Sequence, residues 1–175
     1  MPGPTNTTAP GFPDLAGRVA VGTGGSGGIG AATCRVLAAN GARVVVNGRD
    51  QAKIDAVVDV VQSEGGTATG FAADCTDPEA LDRLRQHVEH TFGPACIVAA
   101  FAGGGRARPG PIAQVTEQDW RSTVDGSLTA TFLTLQCFLP GRTERGSGAI
   151  LTMASSAARL PGLGAPAPTW PRRRP

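Results

Sequence analysis

Tyrosine is absent from this chain, and histidine, tryptophan and methionine occur only twice each. The two histidines, His87 and His90, stand three apart on a stretch of helical pattern with no third ligand nearby. They read as a solvated helix face, and no metal site is expected. The four cysteines, Cys34, Cys75, Cys96 and Cys137, form no C-x-x-C pair. Neither a zinc knuckle nor a redox dithiol follows, and reduced, partly buried thiols are expected. The first residues show no basic n-region leading into an apolar h-region, and no apolar run approaches the ~20 residues of a membrane span. Charged residues make up 17% and the net charge is +2, which excludes a disordered polyelectrolyte and gives no reason to expect nucleic acid. A cytoplasmic protein with a small-molecule partner is the resulting expectation.

What is present suits one domain: 175 residues, 41% of them hydrophobic, enough for a single core. Prolines crowd both ends, with Pro2, Pro4, Pro10 and Pro13 at one and Pro161, Pro166, Pro168, Pro171 and Pro175 at the other. The pattern predicts a flexible segment over residues 1–14, a folded unit over 15–160, and a Pro/Arg-rich tail over 161–175. Within the unit, apolar runs of strand length alternate with helical patterns, the order expected of an α/β fold with a doubly wound parallel sheet. Five strands are predicted, at Arg18–Gly22, Ala42–Asn47, Thr67–Ala73, Cys96–Phe101 and Ala149–Met153. The last two are continuous apolar runs of the kind buried on both faces.

The first helix should run from the glycine turn to a left-handed stop at Asn40-Gly41. The second, Gln51–Glu64, has an apolar stripe of Ile54, Val57, Val58 and Val61. The third starts after the cap Asp77-Pro78 and uses Leu81, Leu84 and Val88. The fourth begins at Thr116, whose spacing to Asp119 is that of a capping box. It continues through Trp120, Val124, Leu128, Phe132 and Leu135 to Pro140.

Between the first strand and first helix lies Thr23-Gly24-Gly25-Ser26-Gly27-Gly28-Ile29-Gly30. A glycine-rich turn at this place lets backbone N–H groups approach a pyrophosphate, whose charge the helix N-terminus favours. A plain tight turn is the structural alternative. The spelling Thr-Gly-x-x-x-Gly-Ile-Gly resembles the cofactor turn of the short-chain dehydrogenase/reductase family, and further segments fall in that family's order over about Leu15–Thr169. These are Asp74 after strand three, Ala102-Gly103 after strand four, Trp120 on helix four and Ser155-Ser156 after strand five.

The resemblance implies a Rossmann-type fold of about five strands, lacking the last strands of the family. It also implies hydride transfer between a nicotinamide and a carbonyl or alcohol substrate, 3-oxoacyl compounds among the candidates. Thr23, Gly24, Ser26, Gly28, Ile29 and Gly30 would hold the dinucleotide. Asp74 would accept from adenine, assisted by the Cys75 N–H, with an ordinary loop residue as the alternative. Ala102 and Gly103 would let the nicotinamide ribose approach. Members that prefer NAD(H) carry an acid at the end of strand two. Gly48 stands there, followed by Arg49, whose guanidinium suits a 2′-phosphate and favours NADP(H) over NAD(H), unless it is simply a solvated arginine.

The chemistry of that family rests on a serine, an asparagine, a tyrosine and a lysine. Ser156 matches the serine, and as a plain residue it is a strand-end serine; Ser127 stands in the asparagine's place. The tyrosine should lie near Thr169 or Trp170. If Trp170 takes its place then Arg174 takes the lysine's, and an indole N–H donates without accepting. Turnover is therefore not expected of this chain, and a non-catalytic nucleotide-binding or regulatory product is the alternative. The run Arg172-Arg173-Arg174 fits a shifted reading frame ending the family sequence early. Strand five would then be an exposed edge, the helix-four face would meet water, and the homo-oligomer typical of the family would be doubtful.

Overall fold

The computed structural model describes residues 11–104, 112–140 and 147–155. Five strands form one sheet: β1 (Val19–Thr23), β2 (Arg43–Gly48), β3 (Thr67–Ala72), β4 (Ile97–Ala100) and β5 (Ala149–Thr152). Their order is β3-β2-β1-β4-β5 and every pairing is parallel. Val21 faces Val45 on one side and Val98 on the other, which fixes the register of the central strands. Strand order reverses between β1 and β4, so a crevice opens there at the carboxyl ends of the strands.

The alternation of side chains along each strand divides the core in two. Val19, Val21, Val45 and Val98 point to the face covered by α3 (Pro78–Phe92) and α5 (Ala130–Phe138), where Leu81, Leu84, Val88 and Phe138 meet them. Ala20, Val44, Val46 and Ile97 point to the opposite face. There α1 (Gly28–Ala39) and α2 (Gln51–Ser63) supply Cys34, Ala38, Ile54 and Val61.

Helix ends follow local chemistry. Gly41 is left-handed at φ 83° beyond α1, and the Asp50 carboxylate accepts from the Lys53 N–H to cap α2. Asp77 accepts from the Glu79 N–H at 2.9 Å with Pro78 opening α3. Replacing Asp77 by alanine will cost about 1 kcal/mol of stability, read from the midpoint of urea unfolding.

Four expectations are corrected. Helix four is not continuous: α4 (Glu117–Val124) passes into a single π-helical turn over Asp125–Thr129 before α5 begins. A Cβ on Gly126 would lie 2.6 Å from the Gly104 carbonyl oxygen, so the widened turn lies where the helix meets the loop after β4. Strand β5 reads from its apolar run alone as buried on both faces, yet it is exposed throughout, with Ile150 and Leu151 about two-fifths exposed; it is the exposed edge that its place in the order led one to expect, an edge of the sheet among the described residues. Trp120, Leu128 and Phe132 are also well exposed, as expected for the outer side of helix four. His87 is half-buried, its ring 4.8 Å from that of Phe71, while only His90 stands in solvent. Strands β1 and β2 begin and end one residue later than predicted, β3, β4 and β5 end one residue early, and β4 also starts one residue late.

At the leading end, residues 13–15 form a 3-10 turn, and the Phe12 N–H donates to Asn40 Oδ1 at 2.8 Å. Among the described residues no three His, Cys, Asp or Glu gather as a metal site, and no helix is long and apolar enough to cross a membrane.

Candidate dinucleotide cleft

The crevice at the switch point is a cleft of about 440 Å³, lined along one wall by Gly24, Ser26, Ile29 and Gly30. Gly27, the end of β2, Lys53, the 73–76 and 101–104 loops, Gly126, Ala130 and Met153 form the remainder. An adjoining hollow of about 400 Å³ extends past Arg49 and Asp74 to Asp125 on the π turn. The glycine turn is close-packed against its surroundings. Gly24 is left-handed at φ 64°, and a Cβ there would lie 2.6 Å from the Phe101 carbonyl oxygen. A Cβ on Gly30 would collide with the Gly24 carbonyl. Gly27 precedes α1 in extended conformation with no side-chain cap, so the first amides of that helix face the cleft without a protein side chain to satisfy them.

Most predicted residues meet in this cleft, and three, Thr23, Gly28 and Ser127, stand apart. Thr23 is wholly buried behind it, with Oγ1 accepting from the Ala102 N–H at 3.2 Å, a strap between β1 and the loop after β4. Gly28, left-handed at φ 51°, shapes the turn and does not line the cleft. Arg49 lines both hollows from an exposed position. Asp74 accepts from the Thr76 N–H at 2.9 Å and from its hydroxyl at 2.8 Å. The backbone hydrogen bond holds its carboxyl below the usual range, assisted by the Thr76 hydroxyl and the nearby Arg49, against the cost of burial.

Cys75 lies beside it with a buried thiol donating to Asn47 Oδ1 at 3.2 Å. Ala102 and Gly103 line the cleft opposite. Ser127, on the π turn, accepts from the Gly104 N–H at 3.3 Å and so holds the loop. Ser156, Thr169, Trp170 and Arg174 lie outside the described residues.

Sequence reasoning missed Lys53, Asn47, Gly126 and Met153, all of which line the cleft. Lys53 had a detectable signal, four residues after Arg49 on the first turn of a predicted helix. Gly126 and Met153 had none.

A family model described as short chain dehydrogenase matches residues 18–167. The chain belongs to the short-chain dehydrogenase family. A 2,3-dihydro-2,3-dihydroxybenzoate dehydrogenase of Bacillus subtilis is 33% identical over 147 residues, covering 84% of this chain and 56% of that protein. The crystal structure of a metagenomic short-chain oxidoreductase in complex with NADP superposes with TM-score 0.78 at 34% identity, over 84% of this chain and 66% of that one. A 7α-hydroxysteroid dehydrogenase complexed with NADH and 7-oxo glycochenodeoxycholic acid gives TM-score 0.74 at 32% identity, over 83% of this chain and 56% of that one. The chain spans about half the length of the curated relatives it matches.

In this short-chain dehydrogenase chain the thiols nearest the cleft are quiet. Burial pushes Cys34, beneath the glycine turn, up to about 12, and burial pushes Cys75 up to about 11. Thiolate is the reactive form. Iodoacetamide at pH 8 should therefore leave Cys34 and Cys75 unmodified in the folded protein and label both once urea unfolds it, as peptide mass spectrometry would show.

Proposed function

We propose that this cleft binds NADP(H) in preference to NAD(H), in the service of carbonyl reduction or alcohol oxidation. The single observation that carries the preference is the pair of cations, Arg49 and Lys53, on the cleft wall where β2 ends in Gly48. Gly48 leaves no carboxylate for a free ribose 2′-hydroxyl. The next acid, Asp50, is engaged by its own helix, accepting from the Lys53 N–H and lying 3.7 Å from the Lys53 ammonium. A 2′-phosphate would meet a guanidinium and an ammonium there.

The remainder of the cleft fits the same ligand. The uncapped amides of α1 suit a pyrophosphate, the crowded glycines leave room only for backbone beside it, and Asp74 offers an acceptor to an adenine amino group. Ala102 and Gly103 give the nicotinamide ribose a wall without bulky side chains. When bound, the cofactor supplies or accepts a hydride. The substrate class is a carbonyl or alcohol, with 3-oxoacyl compounds the favoured kind.

For the 175-residue chain by itself the reading is binding without turnover. Its sequence contains no tyrosine to exchange a proton with the substrate oxygen, Ser127 is occupied with the Gly104 N–H, and Trp170 has a donor only. Fluorescence titration with NADPH should saturate, while NADPH absorbance at 340 nm should stay constant with a panel of ketones. A folded sample that binds no NADPH overturns the cofactor reading, and steady NADPH consumption overturns the absence of turnover.

A further inference from the structure

The wholly buried polar side chains among the described residues are Thr23, Asn47 and Thr134, and they gather at the carboxyl end of the sheet. Thr23 ends β1 and Asn47 is the penultimate residue of β2, both on the face that packs against α3 and α5, where Thr134 sits on α5. Cys75 joins them, its buried thiol donating to Asn47 Oδ1 at 3.2 Å. Asn47 has the most connections of the group. Its Nδ2 donates to the Phe71 carbonyl at 3.0 Å and the Ala73 carbonyl at 3.2 Å, and its Oδ1 accepts from the Cys75 thiol. Its backbone carbonyl accepts from the Gly25 N–H at 2.8 Å. One residue therefore ties the glycine turn to the loop that carries Asp74.

We propose that Asn47 is the positioning residue of the adenylate half of the cleft, holding the 73–76 loop in register with the glycine turn. The inference rests on the nucleotide-binding reading above. A strand residue here needs only to be apolar for the core, as Val44, Val45 and Val46 are. Asparagine instead directs two donors at carbonyls where β3 ends and its loop begins, 24 and 26 residues away in sequence. The bond to Ala73 is buried and the bond to Phe71 part-buried, so water replaces the carboxamide poorly there. Removing it leaves the two carbonyls unpaired, and the loop relieves the cost by moving outward. Such a movement displaces Asp74 and the backbone beside it while leaving the β1–β4 half of the cleft intact.

The test uses the full chain carrying Asn47→Val, close in shape and without donors, with Asn47→Ser as a second variant that keeps one donor. In the absence of nucleotide, hydrogen exchange of the 73–76 amides should rise about tenfold or more in Asn47→Val, with β1 and β4 unchanged. Affinity for adenosine 2′,5′-bisphosphate should fall about ten- to hundredfold, and Asn47→Ser should lie between wild type and Asn47→Val in both measurements. If Asn47→Val does not fold, Asn47→Ser carries the test, with smaller changes in the same two readouts. Unchanged loop exchange, or faster exchange across the whole sheet, overturns the positioning role. Accelerated loop exchange with unchanged affinity overturns it too. A wild-type chain with no affinity for adenosine 2′,5′-bisphosphate overturns the nucleotide-binding reading instead, which the exchange measurement does not require.

Discussion

Gly30→Ala will destabilise the protein by about 3 kcal/mol and lower its melting temperature by roughly 6–12 °C, while abolishing measurable NADPH binding. The added methyl group would collide with the Gly24 carbonyl, lie 2.8 Å from the Gly24 carbonyl carbon and 3.1 Å from Gly25 Cα. All three are backbone atoms, so no rotamer change relieves the contact. The turn itself has to open, against the Gly25 N–H bond to Asn47 at 2.8 Å and the close approach of Gly24 to the Phe101 carbonyl. An opened turn withdraws the helix amides that would face a pyrophosphate. Losing two charge-assisted hydrogen bonds at roughly 1.5 kcal/mol each already amounts to about a hundredfold.

Gly27→Ala is the matched control, because an added Cβ there has nothing within 4 Å and the backbone is extended; it should cost about 1 kcal/mol or less. Differential scanning calorimetry of the two variants decides the matter, since Gly27 itself lines the cleft and only its stability serves as the control. NADPH titration of Gly30→Ala reads the loss of binding. Equal behaviour would show that the turn is not the rigid cradle described.

The contrast between these two glycines marks how far the sequence could be read. The strand–turn–helix context of Thr23–Gly30 was legible because it is local: an apolar run, a cluster of glycines and a helical pattern follow one another within a few residues. The same holds for Val44-Val45-Val46 in β2 and for the Asp77-Pro78 start of α3, where a short stretch of chain settles the structure. Asn47 was legible only as the end of a strand, since its partners at residues 71, 73 and 75 come together through β2–β3 pairing.

The π turn at Asp125–Thr129 was hidden for a related reason. Its residues keep helical spacing with those around them, and the interruption lies where Gly126 meets Gly104. Periodicity reports which residues recur on a face; it does not report which distant backbone approaches that face. Strand β5 shows two readings of one segment: its apolar run alone encodes a preference for burial, whereas its place in the family order gave the exposed edge that is observed. His87 was read from its spacing to His90, yet the Phe71 ring on β3 decides its surroundings.

Arg49→Gln will lower NADPH affinity about ten- to hundredfold and leave NADH affinity within about twofold, since hydrogen bonds to charged groups are worth roughly 1.5–3 kcal/mol. The two cofactors differ only in the 2′-phosphate, so their affinity ratio isolates the contact made there and cancels any general loosening of the cleft. Arg49 is exposed and lines the hollow on both sides of Asp74, leaving its guanidinium able to meet a phosphate in a two-pronged geometry. Lys53→Gln should have the same sign and a smaller size, because its ammonium already lies 3.7 Å from the Asp50 carboxylate and must leave a partner to serve another. Part of the attraction will be screened, so raising salt from 0.05 to 0.5 M should weaken NADPH binding to wild type more than to Arg49→Gln, by a few-fold on the order expected of exposed charges. Isothermal titration of both cofactors against wild type and the two variants gives the full comparison. Parallel loss of NADPH and NADH in Arg49→Gln would mean that the arginine supports the shape of the cleft and that the preference for the phosphorylated cofactor lies elsewhere or does not exist.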